Sequence, residues 1–170
     1  MAITTSAITS SFKNQLLEAK HNFDASSGDK FKLALYTDSS VIGPSLASFT
    51  TGGQVTDSTG DYSSGGKVLQ GQTHKLSGTT AIVDWADLSY LTATITAMGA
   101  LIYNTSEANK SVAVLDFVSN KTSTSGTFTI QFPNFTDTLA IIRLAYIRRF
   151  KRWLLPGAII NGGPTLGHRI

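Results

Sequence analysis

The chain has no cysteine, no arginine before position 143 and no carboxylate after Asp137. The first absence excludes disulfides and every thiolate function, nucleophile or metal ligand alike. No apolar run approaches the roughly 18 residues of a bilayer-crossing helix. The stretch Met1-Ala2-Ile3-Thr4-Thr5-Ser6 has neither the basic start nor the apolar centre of a secretory signal. Charge is scarce as well, 15% of residues against about 25% in an ordinary soluble domain.

What charge there is lies segregated. All five arginines (Arg143, Arg148, Arg149, Arg152 and Arg169) fall in the last 28 residues, joined by Lys151. Residues 1–137 hold eight lysines against eleven carboxylates, a net of −3, while residues 138–170 carry six basic groups and no acid, a net of +6. A mildly acidic body with a strongly basic end steers association toward an acidic surface, whether protein, nucleic acid or membrane.

Serine and threonine, 19 and 22 residues, fill nearly a quarter of the chain, and threonine suits a pleated surface. Residues 7–20 carry Ile8, Phe12, Leu16 and Ala19 at helical spacing, with Thr9 or Ser10 able to cap the start. From Phe31 the period changes to two, with Phe31, Leu33 and Leu35 on one side of an expected half-buried strand. Residues 38–66 read as a long excursion rich in Ser, Thr, Gly and Pro. Further strands are expected at Lys67–Leu76, Thr79–Trp85, Thr92–Thr96, Ala100–Tyr103, Val112–Phe117, Thr127–Phe132 and Leu139–Leu144. Ala81, Val83 and Trp85 should share a face, and turns are read at Met98-Gly99, Ser106–Lys110 and Ser119–Gly126. The predicted fold is mainly β, an antiparallel β-sandwich or jelly roll with a short N-terminal helix. Its core combines Phe31, Leu33 and Leu35 with Val83, Trp85, Leu115, Phe117, Phe128, Ile130 and Phe132. The body spans residues 1–145, and residues 146–170 form an extended basic C-terminal arm.

No constellation in the sequence argues for catalysis, a metal or a cofactor. His21, His74 and His168 are scattered without a local ligand partner. Asp84 and Asp87 flank Trp85 like a glycosidase pair, but a strand face followed by a turn explains them as well. Asp57 and Asp61 lack the length and closing glutamate of a calcium loop. The four Asn-x-Ser/Thr sequons, at Asn104, Asn109, Asn120 and Asn134, follow from the hydroxyl-rich composition. The segment that calls for a partner is Tyr146–Leu155. Tyr146, Phe150 and Trp153 fall at i, i+4, i+7, interleaved with Arg148, Arg149, Lys151 and Arg152. It could grip an acidic protein through hot-spot residues, bind nucleic acid by phosphate neutralisation and stacking, or lie on an anionic membrane. Protein docking is favoured, because ten residues are short for a membrane helix and six charges are few for nucleic acid.

Five blocks carry a resemblance. They are Phe31-Lys32-Leu33-Ala34-Leu35-Tyr36-Thr37; Gly65-Gly66-Lys67-Val68-Leu69 preceded by Tyr62; the run from Ala93 to Asn104; Val112–Phe117; and Gly126–Phe132. In this order, over residues 7–145, the chain resembles small structural proteins of tailed bacteriophages and prophages. Met98 stands where that family commonly has Arg, and the family ends near Leu144-Ala145, so the basic arm inherits nothing from it. The resemblance implies a non-enzymatic virion protein, made in the host cytoplasm and placed on the capsid as a cement or decoration protein. Its implied partners are the major capsid protein and neighbouring copies of itself, with no membrane, nucleic-acid or cofactor role. A tail or adaptor component remains open, as does a carbohydrate-binding module using Trp85 and Tyr90.

Overall fold

The computed structural model describes residues 3, 5–56 and 60–145. It is mainly β, with two antiparallel sheets and one short helix. In chain order the elements are β1 (Ala7–Ile8), α1 (Ser10–Leu17), β2 (Phe31–Tyr36), β3 (Lys67–Val68), β4 (Thr73–Ser77), β5 (Thr80–Asp84), β6 (Leu88–Asn104), β7 (Lys110–Ile130) and β8 (Ile142–Ala145). One sheet has the order β1-β7-β6-β2-β3, the other β4-β5-β8.

The helix is shorter than its apolar stripe. Ala7 and Ile8 pair with Val114 and Ala113 at the edge of β7, which holds them extended. Thr9 then caps α1, its Oγ1 accepting from Phe12 N at 3.4 Å while the same hydroxyl donates to Ser111 O at 3.2 Å. At the other end Ala19 takes φ 54° and Lys20 N donates to Gln15 O, which closes the last turn.

The larger sheet is built on one hairpin. β6 and β7 pair from Leu88↔Ile130 to Asn104↔Lys110, so the segments expected as four strands are two long ones. Gly99 is not a turn residue. It sits inside β6 opposite Asp116, and a Cβ there would lie 2.4 Å from Leu115 O and 2.6 Å from the Ile3 side chain, so glycine serves close packing. Ser119–Gly126 is not a turn either. It continues β7 as a two-stranded ribbon after a wide bulge, where Ala97 faces Lys121 but Gly99 faces Asp116. Between them Val118 takes φ 66° and is 82% exposed. The stretch from Val118 to Thr127 buries no side chain, although Ala93, Ile95 and Ala97 on the facing strand lie in the main core, so this half of the ribbon has no apolar alternation to read.

β2 is buried on both faces rather than one. Phe31, Leu33 and Leu35 enter the main core with Phe12, Val83, Trp85, Tyr90, Ile102, Phe128, Ile130 and Ile142, drawn from α1 and both sheets. Ala34 and Tyr36 point the other way, into a second cluster with Ile3, Ile42, Leu101, Tyr103 and Val114. That cluster is roofed by the excursion, whose Leu46 and Phe49 pack on it. The residues Leu115, Phe117 and Phe132, expected as core, lie partly buried against its rim.

The segment expected as one strand, Lys67–Leu76, divides into β3 and β4, which belong to different sheets. Gly65-Gly66 leads into β3. Gly66 has φ 69°, and a Cβ there would lie 1.8 Å from Leu33 O, so the backbone of the turn rests directly on β2. In β5, Ala81 is exposed while Ile82 is wholly buried, because the chain after β7 covers the second face of this sheet. The Lys75 ammonium lies 4.3 Å from the Phe135 ring on that side.

Trp85 is 2% exposed, its ring edge-on to Phe23 and Phe31, with Nε1 donating to Gln72 Oε1 at 3.2 Å. Trp85→Ala is expected to cost about 3–5 kcal/mol by opening a cavity at the junction of the sheets. A urea titration of this variant checks it; a change within roughly 0.5 kcal/mol would remove Trp85 from the core.

Candidate docking surface

The sequence-predicted docking residues Tyr146, Arg148, Arg149, Phe150, Lys151, Arg152 and Trp153 lie outside the described residues. The structure does place their point of departure. β8 is an edge strand of the smaller sheet, and its last residue, Ala145, pairs with Thr80 beside the β4–β5 turn. Arg143, the first arginine of the chain, donates from its guanidinium to Thr138 O.

A surface the sequence reading missed begins at the same strand. Leu76 of β4 pairs with Ala81 of β5, and Ala81 pairs with Leu144 of β8. Cross-strand partners share a face, so the three make an apolar row across the whole sheet. Leu76 is 71% exposed, Leu144 46%, and Ala81 is exposed. The next row inward runs from exposed His74 to Val83 and Ile142, which are buried in the core. Residues after α1, from Ala19 to Asp24, form the opposite wall, enclosing a groove of about 800 Å³. His74 Nδ1 and Phe23 O, 3.1 Å apart, tie the two walls. Asp24 marks the rim. Its carboxylate accepts from the backbone N–H groups and hydroxyls of Ser27 and Ser26, which hold its pKa well below the ordinary range. A period-two search could not flag this row, since Lys67–Leu76 read as a single strand hides the face to which Leu76 belongs.

A second depression, about 460 Å³, lies between β1–β7 and the segment after β7 and is lined by Ile8, Leu115, Phe117, Phe132, Leu139 and Ile141. These side chains mostly pack on the core rim, so less apolar surface is left free there.

The other candidates resolve into structural roles. Asp87 Oδ1 accepts from Phe132 N at 2.9 Å and fastens the end of β7. Asp84 has one carboxyl oxygen buried without a hydrogen-bond partner, and that desolvation raises its pKa. Asp87 adds a smaller raising contribution to Asp84. Asp61 is held by Lys67 and by Leu91 N, while Asp57 and His168 lie outside the described residues. Trp85 and Tyr90, 2% and 0% exposed, offer no ring face to a sugar, which corrects the carbohydrate-platform expectation. Among the described residues no group of three or more His, Asp or Glu could hold a metal, and no helix is long and apolar enough to cross a membrane.

His21 closes a polar cluster beneath the groove. Asn104 Oδ1 accepts from Ser106 N and Glu107 N, which fixes its amide so that Nδ2 faces Asp29 Oδ2 at 2.7 Å and His21 Nδ1 at 2.9 Å. An amide N–H only donates, so Nδ1 accepts and the proton sits on Nε2, which donates to Gln15 Oε1 at 2.9 Å. The ring packs 4.7 Å from Phe12.

No family model, curated protein or solved structure matches the chain.

Burial lowers the pKa of His21 below the ordinary 6.5, against the raising pull of Asp29 and Glu107 and with a smaller lowering from Lys110. In the window below 6.5 the unfolded chain binds the extra proton and the folded chain resists it. The His21 contribution is thus complete above 6.5 and lost as pH falls toward the folded value. Unfolding free energy should decline as pH falls below 6.5. Urea titrations across that window check it. A His21→Gln variant should lose this segment of the pH dependence; an unchanged slope would assign it elsewhere.

Proposed function

We propose that the protein is a non-enzymatic structural component of a phage virion, seated on the capsid as a cement or decoration protein. The observation that carries the reading is where the resemblance falls on the fold. Its five blocks are β2, the glycine turn into β3, the inner part of β6, and the two ends of β7. All belong to the five-stranded sheet, and none to the smaller sheet. The resemblance therefore follows one sheet rather than strands of both.

The surface properties fit this role. The hydroxyl-rich ribbon from Ser119 to Thr127 has one lysine as its only charge, and its outer edge pairs with no strand among the described residues. Such an edge suits repeated contacts between neighbouring copies. The basic residues beyond β8 would meet an acidic coat surface, with electrostatics steering and registering the contact.

Copy number tests the placement. Hundreds of copies per particle are expected on a shell; a dozen or fewer would move the protein to a tail or adaptor. Replacing Arg148, Arg149, Lys151 and Arg152 with Gln should lower particle occupancy and make the remaining attachment less salt-sensitive, without changing the melting of the body. Full occupancy of that variant would remove the electrostatic contact with the coat, and a gel shift with DNA at physiological salt should be negative.

A further inference from the structure

We propose that the groove on the smaller sheet is the seat of the chain's own segment Tyr146–Leu155, laid with its aromatic residues on Leu76, Ala81 and Leu144 and its basic residues outward. This deepens the reading of a basic capsid-docking arm and rests on that reading only for what the outward face meets. Leu76 and Leu144, 71% and 46% exposed, leave an apolar row uncovered beside Val83 and Ile142, which are buried in the main core. The next large apolar side chain after Leu144 in sequence is that of Tyr146.

The dimensions agree. Two interstrand steps carry the row from Leu144 to Leu76, about 10 Å. Tyr146, Phe150 and Trp153 on a helical repeat extend over about 10 Å. The groove lies between two walls, so a segment crossing the row would meet Phe23 and His21 on its far side. Asp24 on the rim offers a fixed negative charge to one of the basic residues, and the body carries a net −3.

Tethering decides which copy supplies the segment. The chain emerges from β8 at the edge of the groove, and a direct link gives an effective concentration of order millimolar or more. A free second copy would have to exceed that to displace it. Seated this way, the segment presents Arg148, Arg149, Lys151 and Arg152 as one preorganised patch instead of a loose chain, which reduces the ordering cost of docking.

The two tryptophans make the test direct. Trp85 is buried in the core, so the difference between the full chain and a Trp153→Phe variant isolates the Trp153 emission. The expected Trp153 component is blue-shifted and protected from acrylamide in the free protein. Leu76→Asp should red-shift it and bring its quenching to that of a free tryptophan peptide, with the Trp85 emission unchanged. If Leu76→Asp disturbs the body, Phe150→Ser, which lies outside it, should expose Trp153 in the same way. A solvent-like Trp153 in the unaltered chain, or protection that survives both substitutions, overturns the proposal. Protection that fades on dilution overturns it in favour of a second copy's arm. The four-Gln variant separates this claim from the capsid reading: it should lose particle binding and keep Trp153 protected. Retained binding with protected Trp153 would count against the capsid contact alone.

Discussion

The register between β6 and β7 is the constraint on which the rest of the structure depends. Each strand of the larger sheet attaches to this hairpin: β2 to the inner half of β6, β1 to the facing part of β7, and β3 through β2. A slip of one residue would turn Tyr90, Ile102, Phe128 and Ile130 away from the main core and bring Leu101 and Val114 into it. The bulge opposite Gly99 protects against that slip. Gly99–Ile102 pair in one register and Ile95–Ala97 in another, the largest of the shifts along the hairpin, and the difference is taken up by the extra residues Phe117–Asn120.

Around that frame the molecule divides its surfaces. The five-stranded sheet is covered on one face by α1 and the smaller sheet, and on the other by the excursion carrying Ile42, Leu46 and Phe49. The ribbon and the smaller sheet are left with open faces of different chemistry, one hydroxyl-rich and nearly uncharged, the other bearing Leu76, Ala81 and Leu144. The basic arm departs from the second. The charge is divided likewise, a net −3 through Asp137 and six basic groups with no acid after it.

Much of the core was legible in sequence. Phe31, Leu33 and Leu35 alternate because one face of β2 meets the main core, and β-branched and aromatic residues elsewhere mark the strands that do the same. The second face of β2 escaped notice because Ala34 is small and Tyr36 ends in a polar hydroxyl, which donates to Thr50 O at 2.5 Å. Met98-Gly99 and Ser119–Gly126 misled for a common reason. Glycine and hydroxyl residues signal a turn when nothing else is known, yet Gly99 answers to the crowding of Ile3 and Leu115, and Ser119–Gly126 pairs with β6 while leaving its own side chains unburied.

By itself the amino-acid order determined the β class, a cap at Thr9 or Ser10, the alternating core face of β2 and the division of charge at Asp137. Each depends on residues close together in the chain or on a simple sum over it. Only the tertiary structure decided that Lys67–Leu76 splits between two sheets, that Trp85 and Tyr90 are core, and that Leu76, Ala81 and Leu144 meet in one row. Those three residues are 68 positions apart at the extremes. Their neighbourhood is made by cross-strand hydrogen bonding, a long-range property that local periodicity does not contain.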